Sequence, residues 1–433
     1  MRRLFLLLLL VTVSAVADTK VTLLHFSDYH SHALPFYTDR GERGGIARAV
    51  GYLARHKRRG ALVFSGGDMV NKGAPAWSDK YRCAEWPWLN GILDAMAFGN
   101  HDADYGLPEF EQCREQLRYP VLSANTAGFK PYRVFQRNEM KIGVFALAGS
   151  DFPQLVKVPG LTFSDPVAAA RETVRKLRED ERADAVVMIG HQHSESDREM
   201  AKSVPGIDLI LGSHSHLEHE LTQIPGTNTW FISPGQYLTY ISWIELHFAG
   251  GKLAAIDGAL VPVDARMPED RTIATRVAKM QRELENDPQY SELFVPIGSL
   301  DAALSVEALA TRTLEIMRSV ARAEIALSTR SSFRRPLAAG TLTLEALRGA
   351  MPYENEIIAC TMPGTQLQQF LKAAGEESYV SGPAAIDPAR NYRVATTDYV
   401  AYVAYKDVFL CEKERTGAKV REELRKRIGQ APQ

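Results

Sequence analysis

The chain has 433 residues and sets 51 Lys and Arg against 52 Asp and Glu, a formal charge of -1. So even a balance excludes a general affinity for nucleic acid polymers or anionic membranes and points to small-molecule partners. At roughly 150 residues per domain, the length makes two domains the working count, each large enough for its own core.

Residues 1–17 read as a signal peptide: MRR supplies the positive start, LFLLLLLVTVS the apolar core and Ala15-Val16-Ala17 the small-residue cleavage site. The apolar part is shorter than the ~20 residues that span a bilayer, and no lipobox cysteine follows. The mature chain is therefore expected to be exported, periplasmic or secreted, with no membrane anchor.

From 18 to 265 short apolar strands alternate with polar, glycine-containing turns and helical segments, which is an α/β rhythm. The strand ends are VTLLHFSD, ALVFSGGD, DAMAFGNHD, AVVMIGHQH and IDLILGSHSH. Functional groups in α/β sheets gather beyond the carboxyl ends of strands, so these turns are expected to converge. The charged run over 266–290, bounded by Pro268 and Pro288, is expected to form a linker helix. Residues 291–433 read as a second, smaller α/β unit, with SVEALATRTLEIMRSVA as an amphipathic helix and NEIIACTM as a strand. The tail EKERTGAKVREELRKRIGQAPQ mixes charges of both signs and is expected to be a solvated helix. Cys83, Cys113, Cys360 and Cys411 are too widely spaced for a CxxC metal site. In an oxidising compartment Cys83 can pair with Cys113 and Cys360 with Cys411, while a buried free thiol suits Cys360 equally well.

Asp28, His30, Asp68, Asn100, His101, His191, His193, His214 and His216 all fall in those strand-end turns. Any one of these histidines alone is more often a hydrogen-bonded surface or core residue than a ligand. As an ordered set they read differently. Asp28 and His30 are two apart, which at a strand terminus puts them on one side, and His214 and His216 repeat the spacing. Oxygen and imidazole donors without thiolate suit Mn, Zn, Fe or Co. The surplus of ligands over what one open-sited ion can use argues for two divalent metal ions sharing a carboxylate. Asp102 reads as a turn former, His25 as a packed strand residue with a satisfied hydrogen bond, and His193 and His219 as surface residues.

The ordered set DxH, GGD, GNHD, GH and GSHSH resembles the calcineurin-like metallophosphoesterase signature, with spacing similar to the 5'-nucleotidase family. That resemblance implies a four-layer β-sandwich flanked by helices for the catalytic domain and a smaller α/β C-terminal domain. It also implies that Asp28, His30 and His216 hold one metal, that Asn100, His191 and His214 hold the other, and that Asp68 bridges both. His101 would be the catalytic histidine beside the departing oxygen, with Asp104 orienting its ring.

Residues 323–371 are similar to the 5'-nucleotidase C-terminal domain, which implies substrate contacts from Arg334, Tyr353, Asn355 and, further on, Tyr399. A guanidinium suits phosphate and two rings can sandwich a base; ordinary half-buried packing is the other reading of both tyrosines. The chain departs from the family in three places. Ser331 and Ser332 replace glycines, SLDAALSVEALA lacks two upstream arginines, and Val403-Ala404-Tyr405-Lys406 replaces a GGDG turn. The expected function is hydrolysis of phosphate monoesters, 5'-nucleotides first, to nucleoside and phosphate. The alternatives are 2',3'-cyclic nucleotides, sulfur-oxyanion conjugates as in thiosulfohydrolases, or a non-catalytic binding protein with a structural metal centre.

Overall fold

Successive strand residues point to opposite faces, so a strand apolar at every position has to be covered on both sides. In VTLLHF, Val21 and Leu23 enter one core while Leu24 and Phe26 enter another. Val144, Val187 and Ile189 join the core of Leu23, whereas Phe145, Leu147, Val186 and Met188 face the far side of their sheet. The first core is therefore the filling between two sheets.

The computed structural model describes residues 19–428, so the expected signal peptide lies outside the described residues. One six-stranded sheet runs, edge to edge, Lys252–Pro262, Tyr240–Ala249, Thr19–Phe26, Leu62–Ser65, Ala95–Ala97 and Val121–Leu122. The other runs Glu218–Gln223, Trp230–Pro234, Leu209–Gly212, Ala185–His191, Met140–Ala148 and Tyr132–Arg137. The central strands of each sheet are parallel, which brings their carboxyl ends to one edge. Helices Ile46–Lys57 and Arg271–Glu285 bury residues against the outer face of the first sheet. Pro166–Arg175 and Ser194–Ser203 cover the second. This is the four-layer sandwich that the resemblance implied.

The expected linker helix is Arg271–Glu285, capped by Asp270, whose carboxylate accepts from Thr272 N and Ile273 N. Its apolar stripe of Ile273, Val277 and Leu284 is buried in the same core as Ile46 and Leu53, so the helix belongs to the outer layer of the sandwich.

Beyond it stands a five-stranded sheet in the order Ser378–Ser381, Ile325–Thr329, Asn391–Thr397, Glu356–Pro363, Glu414–Lys419. Helices Val306–Ala321 and Val420–Arg427 contribute to one core of this unit, and Gly364–Ala374 to a second. The charged tail thus departs from the expected solvated helix: its first part is an edge strand and its second a helix that buries Val420 and Leu424. An edge strand exposes most side chains whatever its pairing, which is why the charges masked it. Both cysteine pairs form, Cys83 with Cys113 and Cys360 with Cys411, so Cys360 is not a free thiol. Among the described residues no helix is long and apolar enough to cross a membrane.

Candidate active site

The five strand ends do meet, but not by strand parity. Asp28, His30, Asp68, His214 and His216 all have positive φ, between 48° and 65°. The chain has already left the strands at Phe26, Ser65 and Gly212, and left-handed turns rather than the pleat aim these side chains inward. Such conformations in non-glycine residues persist only where surroundings hold them. Here Asp28 N donates to Gly67 O at 3.1 Å and His30 N to Asp68 O at 2.9 Å. Beneath them the buried Asp102 carboxylate accepts from Met69 N at 2.7 Å and Gly99 N at 2.8 Å. Burial and the neighbouring Asp68 push Asp102 up to about 7. It is more than a turn former, because it ties the GGD loop to the GNHD loop.

Two donor clusters result. Asp28, His30, Asp68 and His216 offer ligand atoms that all lie within 4.8 Å of one another, and so do Asp68, His191 and His214. Asn100 Oδ1 adds to the second, 3.1 Å from His191 Nε2. Asp68 belongs to both.

The protonation pattern tests whether divalent ions fit. His30 Nδ1 faces Val70 O at 3.1 Å and His191 Nδ1 faces Gly66 O at 2.6 Å. Each ring gives its Nδ1 proton to a carbonyl, so in the neutral, ligating form each Nε2 turns a lone pair inward. Those lone pairs meet acceptors: His191 Nε2 lies 3.4 Å from Asp68 Oδ2 and His30 Nε2 lies 3.1 Å from His216 Nε2. Acceptors facing acceptors call for positive charge between them, and divalent cations fit. Burial holds His30 and, with Arg334 beside it, His216 well below the usual imidazole range, in the neutral form that ligates. His191 is pulled down by burial, but Asp68 outweighs this and pushes it up to about 9.

His101 stands over the shared carboxylate. Its backbone N donates to Asp68 Oδ1 at 2.8 Å, and its Nδ1 faces Asp104 Oδ2 at 2.8 Å. Burial favours the neutral ring, yet Tyr353, Asp104 and Asp68 outweigh it and hold His101 well above the usual range. Its Nε2 points to Tyr353 Oη at 3.2 Å, and Arg334 Nη2 reaches the same hydroxyl at 3.3 Å. Arg334 Nη1 also lies 3.0 Å from His216 Nε2. Asn355 and Tyr399 line the same cavity of about 260 Å³, which both units enclose. Tyr353 sits in a loop and Tyr399 at the start of the helical segment Val400–Ala404, not on strands.

Other residues at the site carried no signal in their motifs. Asp151 Oδ2 lies 3.0 Å from His214 Nε2, which leaves Nδ1 as the ligating atom of that ring. His193 is not a lone surface residue. It lies between Asp151 at 3.4 Å and Glu377 at 3.1 Å, and Glu377 also accepts from Ser215 Oγ at 2.7 Å. Arg330 lines the cavity four residues before Arg334, well after the stretch SLDAALSVEALA in which two arginines are missing. Tyr405, at the place of the family aspartate, packs edge-on against Phe370 at 4.8 Å. Both ring nitrogens of the buried His25 lack a hydrogen-bond partner among the described residues, against the satisfied bond expected.

Residues 21–218 match the calcineurin-like phosphoesterase family model, and residues 304–385 match that of the 5'-nucleotidase C-terminal domain. The chain thus joins a match to the calcineurin-like phosphoesterases with a match to the 5'-nucleotidase C-terminal domain, and it is a hydrolase. Protein UshA of Yersinia enterocolitica is 24% identical over 471 residues, covering 88% of this chain and 85% of its own. A 5'-nucleotidase of Vibrio cholerae is 23% identical, covering 84% of this phosphoesterase and 77% of its own length. Among solved structures, a 5'-nucleotidase precursor from Thermus thermophilus aligns with a TM-score of 0.71 at 20% identity, over 95% of this chain and 96% of that one. The sulfate thiohydrolase SoxB of the same organism also reaches 0.71, at 19% identity over 94% of each chain. These two share the two-domain fold with the phosphoesterase.

Proposed function

We propose that this phosphoesterase is an exported, two-metal enzyme that hydrolyses phosphate monoesters, with 5'-nucleotides as first substrates and nucleoside and phosphate as products. The observation that carries this reading is the joining of two donor clusters through Asp68, which lines one cavity together with His101 and Arg334. The first cluster is Asp28, His30, Asp68 and His216; the second is Asp68, Asn100, His191 and His214. Two divalent ions of the Mn, Zn, Fe or Co class would supply Lewis acidity to the phosphoryl group and to the attacking water.

The chain's own residues do the rest. Arg334 forks onto phosphoryl oxygens, a geometry that guanidinium and phosphate share. His101, kept cationic by Asp104, donates from Nε2 to the leaving oxygen and gives up its proton as the ester bond breaks. Substrate replaces the Tyr353 hydroxyl at that nitrogen, and the Tyr353 and Tyr399 rings take the nucleoside. Residues 1–17 and the two disulfides support export, since such bonds persist in oxidising compartments.

Metal-loaded protein assayed on p-nitrophenyl phosphate, with Asp68→Ala as control, tests the reaction class; equal rates for the two would sink it. AMP hydrolysis by Arg334→Ala tests the substrate placement, with a KM rise of at least about tenfold expected for a lost charge-assisted phosphate contact. A sulfur-oxyanion ester is the second reading. It is favoured by a half-buried Tyr405, packed against Phe370, where the family's nucleoside-placing aspartate is expected. A thiosulfonate substrate included in the same assays distinguishes the two.

A further inference from the structure

A second cavity, of about 380 Å³, lies against the first. The two share Ser215, His216, Arg330, Ser331 and Arg334 as lining, so one layer of side chains separates them. Both units contribute to its walls, with Phe36, Arg43 and Gln236 from the sandwich and Arg335 from the C-terminal unit. Its size falls within the range of small-molecule pockets.

Positive charge in its wall outruns negative. Glu218 is taken by Arg40 at 2.9 Å and Glu307 lies 3.8 Å from Arg330, while Asp39 is exposed. Arg335 lies over the Phe36 ring at 5.6 Å and makes no ion pair among the described residues. The carboxylate that acts on it, Glu345, is turned to Ala76 N at 2.8 Å. Arg43 donates from Nη1 to Glu42 O at 3.1 Å and lies 3.8 Å from Asp264, but its Nε is buried without a partner. Gln236 donates to Arg334 O at 2.7 Å, and its Oε1 is buried without a partner.

Arg335 is half-buried, and a guanidinium drawn partly out of water without a carboxylate carries a cost that an anionic ligand lowers. Arginine forks match tetrahedral oxyanions two oxygens at a time. We infer that the second cavity binds a phosphate-class oxyanion, distinct from the phosphoryl group that reacts. Two sources share this chemistry: orthophosphate released by the enzyme's own reaction, and a second phosphomonoester molecule. Either one would sit behind Arg334 and share the guanidinium that lines both cavities, so the cavities are coupled. The inference rests on the proposed function only in taking the first cavity as the reaction site.

Calorimetric titration of the metal-loaded protein tests it, with orthophosphate in one arm and a non-hydrolysable phosphonate analogue of AMP in the other. Wild type should take up two equivalents of at least one probe. Asp68→Ala and Arg335→Gln should each keep one, and Arg335→Gln should keep kcat/KM for p-nitrophenyl phosphate within about twofold. Arg43→Gln serves as a second variant should Arg335→Gln fail to fold, as far-UV dichroism would reveal. A second equivalent with orthophosphate identifies the free product as sufficient; one with the phosphonate alone identifies a phosphomonoester. A single equivalent of both probes in wild type, or two equivalents in both arginine variants, overturns the inference. An Asp68→Ala protein that holds one equivalent, lost on adding Arg335→Gln, upholds it even if wild type hydrolyses nothing.

Discussion

An imidazole ligates through whichever nitrogen its neighbours leave bare. For His214 that neighbour is Asp151, which fixes the tautomer from outside the donor cluster. Asp151→Ala is expected to weaken binding of one of two ions about 10- to 100-fold, while kcat at saturating metal stays near wild type. Metal titration followed by rate measurement separates the two effects, and unchanged affinity would contradict the assigned role. His191 makes a second prediction with a definite sign. Its ring is pushed up to about 9, so below that pH a cation has to displace a proton. Apparent affinity should therefore fall as pH drops from 9 toward 6, by up to about tenfold per unit, and an affinity flat across that window would refute it. The residues of the two donor clusters were legible because each lies within a few residues of a strand end. Asp151, His193 and Glu377 were not, since their role depends on contacts between segments far apart in the chain, which spacing cannot encode.

At the scale of elements, the loops matter more than the strands they follow. Two-sided apolar runs announced the sheets, but the left-handed turns that aim Asp28, His30 and Asp68 leave no hydrophobic pattern. They depend on close backbone approach, clearest at Gly99. A Cβ there would fall 2.3 Å from both Asp68 N and Asp68 Oδ1, so Gly99→Ala has to displace the shared carboxylate. Displacement on that scale should lower kcat/KM about 10²-fold with far-UV dichroism unchanged. Activity within a few-fold of wild type would show that the loop yields more easily than its packing suggests. The C-terminal helix gives the complementary case. Its sequence reads as solvated because charges crowd two buried positions, Val420 and Leu424, yet Leu424 is fully buried. Leu424→Ala should cost about 2–5 kcal/mol, measurable as a lowered denaturation midpoint. A change under half a kcal/mol would mean that the helix is dispensable.

At the scale of the molecule, the site belongs to neither unit alone. Many of the contacts across the cleft among the described residues are polar. Tyr353 meets His101 at 3.2 Å, Glu377 meets Ser215 at 2.7 Å, Glu345 meets Ala76 N at 2.8 Å, and Arg348 donates to Gly73 O. Each of these four lands on or beside a loop that carries an expected ligand or orienting residue, whereas the buried residues of each apolar core come from one unit. Polar interfaces of this kind loosen before cores melt. Low urea should therefore abolish turnover at a midpoint below that of far-UV dichroism, and coincident curves would argue for a rigid joint. If they separate, a preparation can look fully folded by spectroscopy and yet be inert, its two halves intact and out of register. Rate measurements would then report the age and handling of a sample long before its secondary structure did.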